Sequence, residues 1–426
     1  MKPTLRIAAC LVLLLACELA AADVLKIAVN DTIHPIADEY IGRALERAAQ
    51  EKHDAVLIEL STPGGLVDST RKIVEKILAS PVPVIVYVTP SGSRAASAGF
   101  FILEAADVAA MAPGTNTGAA HPVIFGGQKM DTIMKEKMEN DAAAFMRSFA
   151  GKRGRNVELA ESAVRQSKSF TDQEALAQKL VDVVAADEQD LLKQLDGRVV
   201  TGFNGTKTTL RLAGKRVLPM EMTLKQRILS SIMDPNVAFI LFTIGMLAIY
   251  AEFNHPGAIL PGVIGLICIL LAVFAFNILP TRYAAVAMIL GAFVLFALEA
   301  KFVSHGVLGA GGVLLMVLGA LLLVDSPIPE MRVRLVTALA VSVPMGIITV
   351  FLLTIVMKAR KGKIVTGEQG LVGEAGVART PLAPEGKVFV HGELWDAVAR
   401  TNVQVGDRVV VRRVDGLRLE VEAERK

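Results

Sequence analysis

The sequence predicts three structural classes in one chain: an α/β domain, a polytopic α-helical membrane domain and a C-terminal all-β barrel. Three observations carry this. Apolar strands alternate with helix-spaced segments from Asp23 to about Asp196, which implies βαβ units and a mainly parallel sheet. Long apolar runs then fill residues 236–357. Short alternating segments punctuated by glycine close the chain from 364 to 426. At 426 residues, 53% of them hydrophobic, the chain is too long for one domain and more apolar than a soluble enzyme requires. Its net charge of +3 and the lack of a basic-aromatic pattern give no footprint for nucleic acid.

Residues 1–22 read as a signal peptide. Lys2 and Arg6 precede the apolar run Ile7–Leu15, and Ala20-Ala21-Ala22 offers a cleavage site before Asp23. Leu14-Leu15-Ala16-Cys17 loosely resembles a lipoprotein box, with Leu15 bulky for its place. Cys10, Cys17 and Cys268 all lie in apolar segments and the six histidines are scattered, so neither a disulfide nor a metal motif is expected, and no cofactor.

In the first domain, 23–233, strands are predicted at Val24–Val29, Ala55–Leu60, Val84–Val88, Val108–Met111 and Val181–Val184. Helices are predicted over Ile36–Ala49, around Ile73 and Ile77, after Ser97, over Asp131–Ala150, near Leu159–Val164 and over Asp172–Leu180. Gly197–Leu212 reads as a small β extension. The apolar runs that follow are Val237–Ala251, Ile259–Leu279, Ala284–Leu298, Val307–Val324 and Leu335–Met357, about five helices. Lys358, Arg360, Lys361 and Lys363 place the far end of the last one in the cytoplasm and the first domain outside, while Arg332 and Arg334 count mildly against that orientation. Glu252, Glu299, Lys301 and Asp325, near run ends, read as interfacial snorkelling residues. Trp395 reads as barrel core.

The chemistry is expected at Gly92-Ser93-Arg94-Ala95-Ala96-Ser97-Ala98-Gly99, a small-residue turn between a buried strand and a buried helix. Such a turn presents a hydroxyl where the helix dipole and free N–H groups favour a developing negative charge. Ser97 is the candidate nucleophile. The N–H groups of Gly65, in Ser61-Thr62-Pro63-Gly64-Gly65, and of Ala98 are candidate oxyanion donors. Two residues could act as base, Lys137 on the long helix and His121 in Gly118-Ala119-Ala120-His121-Pro122. A lysine base has to be mostly neutral, which means lowering its pKa from about 10.4 toward 7 by burial. Ile133 and Met134 give Lys137 an apolar side, whereas Asp141 at i+4 would hold the proton on.

Thr62-Pro63-Gly64-Gly65, the Ala-Ala-Ser-Ala-Gly of 95–99 and Ala112-Pro113-Gly114-Thr115-Asn116-Thr117-Gly118 together resemble the Clp-protease/crotonase superfold. Joined to a signal peptide, Asp234-Pro235-Asn236, spans with Pro256-Gly257 and Pro261-Gly262, and a β tail, the arrangement resembles the NfeD proteins, the stomatin-operon partner proteins. The resemblance implies a membrane-anchored serine endopeptidase with a Ser97–Lys137 dyad, oxyanion donors Gly65 and Ala98, and an OB-fold tail. It also implies a stomatin/prohibitin-like membrane partner whose apolar segment is the substrate, assembly at least as a dimer, and residence in a bacterial cytoplasmic membrane with the protease domain periplasmic and the barrel cytoplasmic. In soluble Clp proteases a histidine in the loop matching His121 is the base, but Lys168 stands where its orienting aspartate would be, so His121 is the alternative base or a groove residue. Two other classes are open: a non-catalytic scaffold that organises a stomatin-like oligomer, and acyl-CoA chemistry, disfavoured by an extracytoplasmic location.

Overall fold

The computed structural model describes residues 23–424 apart from 124–130, 255–256, 258, 303, 327 and 361–367. The predicted signal peptide, with Cys17, lies outside the described residues.

The first domain is built on a six-stranded parallel sheet in the order β11-β1-β2-β3-β5-β8. Its strands are β1 (Val24–Val29), β2 (Ala55–Leu60), β3 (Val84–Val88), β5 (Val108–Met111), β8 (Val183–Val184) and β11 (Val217–Pro219). Every residue of β3 and β5 is buried, as expected of strands covered on both faces. Helices α1 (Pro35–Glu51), α2 (Val67–Ala79), α3 (Ala98–Ala105), α4 (Thr132–Ala150) and α5 (Val157–Arg165) contribute to one apolar core with Ile27, Ile58 and Val86. A second core lies on the other face of the sheet, around Leu57, Tyr87 and Leu191 of α7 (Glu188–Leu195). Thr171 caps α6 (Asp172–Ala177) through a capping box with Glu174, and the helix stops short of the predicted Leu180. The predicted β extension is the antiparallel pair β9 (Val199–Thr201) and β10 (Lys207–Thr209).

A small second sheet, β4-β6-β7, was not legible in the sequence. Its strands, β4 (Arg94–Ala96), β6 (Asn116–Gly118) and β7 (Ser169–Thr171), have three residues each, too few to show alternation. Consequently the run 92–99 is not one turn. Gly92 opens it with φ +87, β4 follows, and Ser97 sits between β4 and α3.

Helix α8 (Leu224–Ile232) leads from this domain into the apolar helices α9 (Pro235–Asn254), α10 (Leu260–Ile278), α11 (Tyr283–Lys301), α12 (Val307–Leu322) and α13 (Leu335–Arg360). Among the described residues four helices are long and apolar enough to cross a membrane. The exception is α12, whose 16 residues extend about 24 Å at 1.5 Å per residue. The short member of the predicted set is therefore the fourth run, which stops at Leu322 before Val324 forms a bridge with Thr281. Asp234 accepts from the N–H groups of Asn236 and Val237 and so caps α9. The acidic residues at run ends do more than snorkel. Glu299 is fully buried and accepts from Ser304 Oγ, Gly306 N and Gly309 N, satisfying orphan donors at the start of α12. Glu252 accepts from Ile259 N (3.1 Å), and Asp325 pairs with Arg282 (2.7 Å).

The C-terminal unit contains a closed five-stranded barrel in the order β12-β13-β14-β16-β15, formed by Ala375–Ala378, Glu385–Val390, Glu393–Ala399, Arg418–Ala423 and Arg408–Asp415. Closure pairs every strand edge. Val388, Val390, Val409, Val411 and Leu419 fill its interior, with Trp395 half-buried against them.

Candidate active site

Ser97 stands immediately before α3 with φ +52 and ψ −111. That backbone is costly for a residue with a Cβ, and it occurs where the surrounding structure fixes it. Here Ser97 N donates to Gly118 O (2.9 Å), and on either side Ala96 N donates to Thr62 O and Phe100 N to Ser97 O. The Ser97 side chain makes no cap bond to its own helix, and among the described residues its Oγ has no hydrogen-bond partner. The hydroxyl is thus presented rather than consumed.

The second turn lies against it. A Cβ placed on Gly64, whose φ is +128, would come 2.9 Å from Ser97 Cβ. At Gly65 a Cβ would fall 2.1 Å from Ile33 O, so only glycine fits both positions. This turn is held by Ile33 N donating to Gly64 O (2.8 Å) and Leu66 N donating to Ile33 O (2.7 Å). Gly65 N donates to nothing among the described residues, and Ala98 N, first in its helix, has no intrahelical acceptor. Ser97, Ala98 and Gly65 all line one pocket. Two unengaged N–H groups beside a hydroxyl are the arrangement that stabilises a tetrahedral oxyanion.

The rest of the pocket is mostly apolar: Val67, Phe101, Ala120, Pro122, Met138 and Phe145 are among its lining. Phe101 stacks on Phe145 with ring centroids 6.0 Å apart, and the Arg71 guanidinium lies 4.4 Å from the Phe145 centroid. Arg71 also forms an ion pair with Asp141, tying α2 to α4 across the rim.

The two candidate bases are placed differently. Met138, Asp141, Ala142 and Phe145 of α4 face the pocket, but Lys137 is exposed, does not line it, and makes no hydrogen bond to Ser97. His121 is half-buried between the lining residues Ala120 and Pro122. Its Nδ1 lies 3.0 Å from Val164 O; a carbonyl only accepts, so Nδ1 carries a proton in this contact. Lys168, at the place of the missing aspartate, is exposed and lies near the Phe170 ring. The orienting partner of His121 is therefore a backbone carbonyl 43 residues away, which no local motif signals. Among the described residues no group of three His, Cys, Asp or Glu side chains could hold a metal ion.

The three parts together define a membrane-integrated protein with a ClpP/crotonase-like α/β domain, apolar spanning helices and an OB-type barrel. Comparison with known proteins gives the same order: the NfeD1b N-terminal domain matches residues 23–200, the NfeD integral membrane domain 236–355, and the NfeD-like C-terminal, partner-binding domain 368–422. The chain is 33% identical over 426 residues to membrane-bound protease PH1510 of Pyrococcus horikoshii, covering 97% of this chain and 96% of that one. It is 30% identical over 410 residues to membrane protein NfeD1b of Bacillus subtilis, covering 90% and 88%. The chain belongs to the NfeD family. Solved structures similar to it include the 1510-N membrane-bound stomatin-specific protease as an alanine variant in complex with a substrate peptide (33% identity, 50% of this chain and 98% of that one, TM-score 0.47). Another is the C-terminal domain of stomatin operon partner protein 1510-C from P. horikoshii (40% identity, 14% and 98%, TM-score 0.14).

Proposed function

We propose that this protein is a membrane-anchored serine endopeptidase that cleaves apolar segments of a stomatin/prohibitin-like membrane partner. The observation that carries this is the unengaged Ser97 hydroxyl, held in a strained turn beside two unengaged N–H groups and opening on an apolar pocket. The 33% identical relative is named a membrane-bound protease, and the similar solved domain a stomatin-specific one. In the reaction Ser97 Oγ attacks the scissile carbonyl, a base takes its proton, and the developing oxyanion is held by Gly65 N and Ala98 N. The amine product leaves with a proton from that base, and water clears the acyl-enzyme.

Lys137 is the base in this reading, carried by the helix whose neighbouring side chains line the pocket; catalytic hydrogen bonds often close only around substrate. His121 is the alternative, supported by the Val164 carbonyl that holds its Nδ1. A second reading, a non-catalytic scaffold organising a stomatin-like oligomer, is favoured by the exposure of Lys137 and the absence of any described base in contact with Ser97. Five passages through the bilayer put the α/β domain outside the cytoplasm and the barrel inside, in a multi-pass protein assembling as at least a dimer.

The test is labelling of the full chain by a fluorophosphonate, together with cleavage of an apolar peptide. Ser97→Ala should lose both, and Lys137→Ala should lose about 10³-fold or more in rate. If His121→Ala rather than Lys137→Ala shows that loss, the base role passes to His121. No labelling of the folded wild-type chain leaves the scaffold reading.

A further inference from the structure

The pocket at Ser97 has a neighbour that does not belong to the α/β domain. Residues 323–334 connect α12 to α13, and described residues of this connection reach the turns at Ser97 at two points. The Ile328 side chain lies 3.5 Å from the position a Gly64 Cβ would occupy, on the residue that also abuts Ser97. Glu330 Oε1 accepts from the guanidinium of Arg94 (2.5 Å), three residues before Ser97 on β4. Several described residues of the connection are held in place. Ile328 N donates to the hydroxyl of the buried Ser326, Arg332 Nε donates to Ser326 O, a 3-10 turn spans Pro329–Met331, and Met331 and Val333 are buried in the core of the membrane helices.

A second connection supports the same turn from below. Ser230 of α8, the helix that leads into α9, lies 3.3 Å from His34 Nε2. His34 Nδ1 accepts from Ile36 N and Ala37 N, so Nε2 is the donor to the Ser230 hydroxyl. Ile33, the preceding residue, holds Gly64 and Leu66 through its backbone. The oxyanion turn is therefore flanked by structure that belongs to the membrane helices or leads directly into them.

We propose that the α12–α13 connection forms one wall of the substrate site, so that a peptide reaching Ser97 lies against Ile328 and beside the Arg94–Glu330 pair. The occupant is an extended apolar segment emerging from the bilayer. Ile328 supplies apolar contact next to the oxyanion turn, and Glu330 fixes that wall to the strand carrying the nucleophile. Both are positioning and specificity residues, since neither touches the reacting atoms. An exposed ion pair contributes little stability, so the value of Arg94–Glu330 lies in registration. This inference rests on the peptidase reading of Ser97.

The experiment uses the full chain in phosphatidylcholine vesicles with two probes. A small fluorophosphonate needs only Ser97 and the oxyanion donors. An apolar peptide of about eight residues, spanning up to roughly 27 Å when extended, also reaches the wall. Ile328→Arg should raise KM for the peptide about tenfold and Ile328→Ala about threefold, with kcat within about twofold and the labelling rate unchanged. Glu330→Arg should also raise KM, and the charge swap Arg94→Glu/Glu330→Arg should restore it. An unchanged KM in Ile328→Arg overturns the proposal. So does loss of labelling together with cleavage in Ile328→Ala, which makes the connection a support of the fold rather than a substrate surface. Wild-type chain that does not label at all refutes the peptidase reading instead, a result distinct from labelled enzyme whose KM ignores the wall.

Discussion

At the level of single residues, Ser97 holds a backbone conformation that its own Cβ disfavours, φ +52 with ψ −111. Removing the hydroxyl alone leaves that cost in place, while removing the Cβ relieves it. Ser97→Gly should therefore be more stable than Ser97→Ala by about 1 kcal/mol, with both inactive. Thermal denaturation of the two variants checks this; equal midpoints would mean the turn is not strained. That Ser97, Ala98 and Gly65 line one pocket was legible because two glycine-containing turns after neighbouring parallel strands can face each other across one site, although a serine at such a turn is more often a plain helix-start residue. The Val164 carbonyl that orients His121 was not, because backbone acceptors carry no side-chain signature.

At the level of elements, α3 does two jobs with eight residues, all of them buried. Its first residue, Ala98, brings a backbone N–H without an intrahelical acceptor to the pocket. Near its other end Glu104 is fully buried, and neither carboxyl oxygen has a hydrogen-bond partner among the described residues. Burial pushes this carboxyl up to about 8, against the opposing pull of Arg155. The sign follows from proton counting. Below about 4.5 both folded and unfolded chains hold the proton, so Glu104 has no effect. Between about 4.5 and 8 the unfolded chain has released it and the folded chain has not, so stability falls as pH rises through that window. Glu104→Gln should flatten this dependence and raise the melting temperature at pH 8 by several degrees while changing little at pH 4.5, a comparison open to calorimetry of the detergent-solubilised chain. A larger gain at pH 4.5 than at pH 8 would contradict it. The long parallel strands and amphipathic helices were legible because burial imposes their period. The three-residue strands β4, β6 and β7 were not, since each depends on partners distant in sequence, such as Ala95 and Thr117 or Asn116 and Thr171.

For the whole molecule, the question is how many times the chain traverses the bilayer, because α12 has only 16 residues. The ends of the helices decide it. Arg334 N, just before α13, donates to Asn236 Oδ1 at the start of α9, so these two helices begin at the same end of the bundle. Arg282, before α11, donates its N–H to Leu323 O and its side chain pairs with Asp325, so α11 begins where α12 finishes. Short or not, α12 returns the chain to the end from which α9 departed, so the five helices alternate in direction, and the proposed fifth passage is α13. The Arg332 side chain is held there by Ser326 O, whereas Arg334 engages only its backbone N–H, with Asn236, so its cation still counts against the predicted orientation. Lys358, Arg360, Lys361 and Lys363 at the other end of α13 outnumber these two. With Cys10, Cys17 and Cys268 replaced by serine, single cysteines at Glu330→Cys and at the exposed Leu417→Cys of the barrel report the two ends. An impermeant maleimide added to intact spheroplasts should label the first and spare the second, and inverted vesicles should reverse the pattern. Labelling of both from one face would mean an even number of crossings, and would place the barrel in the same compartment as Ser97.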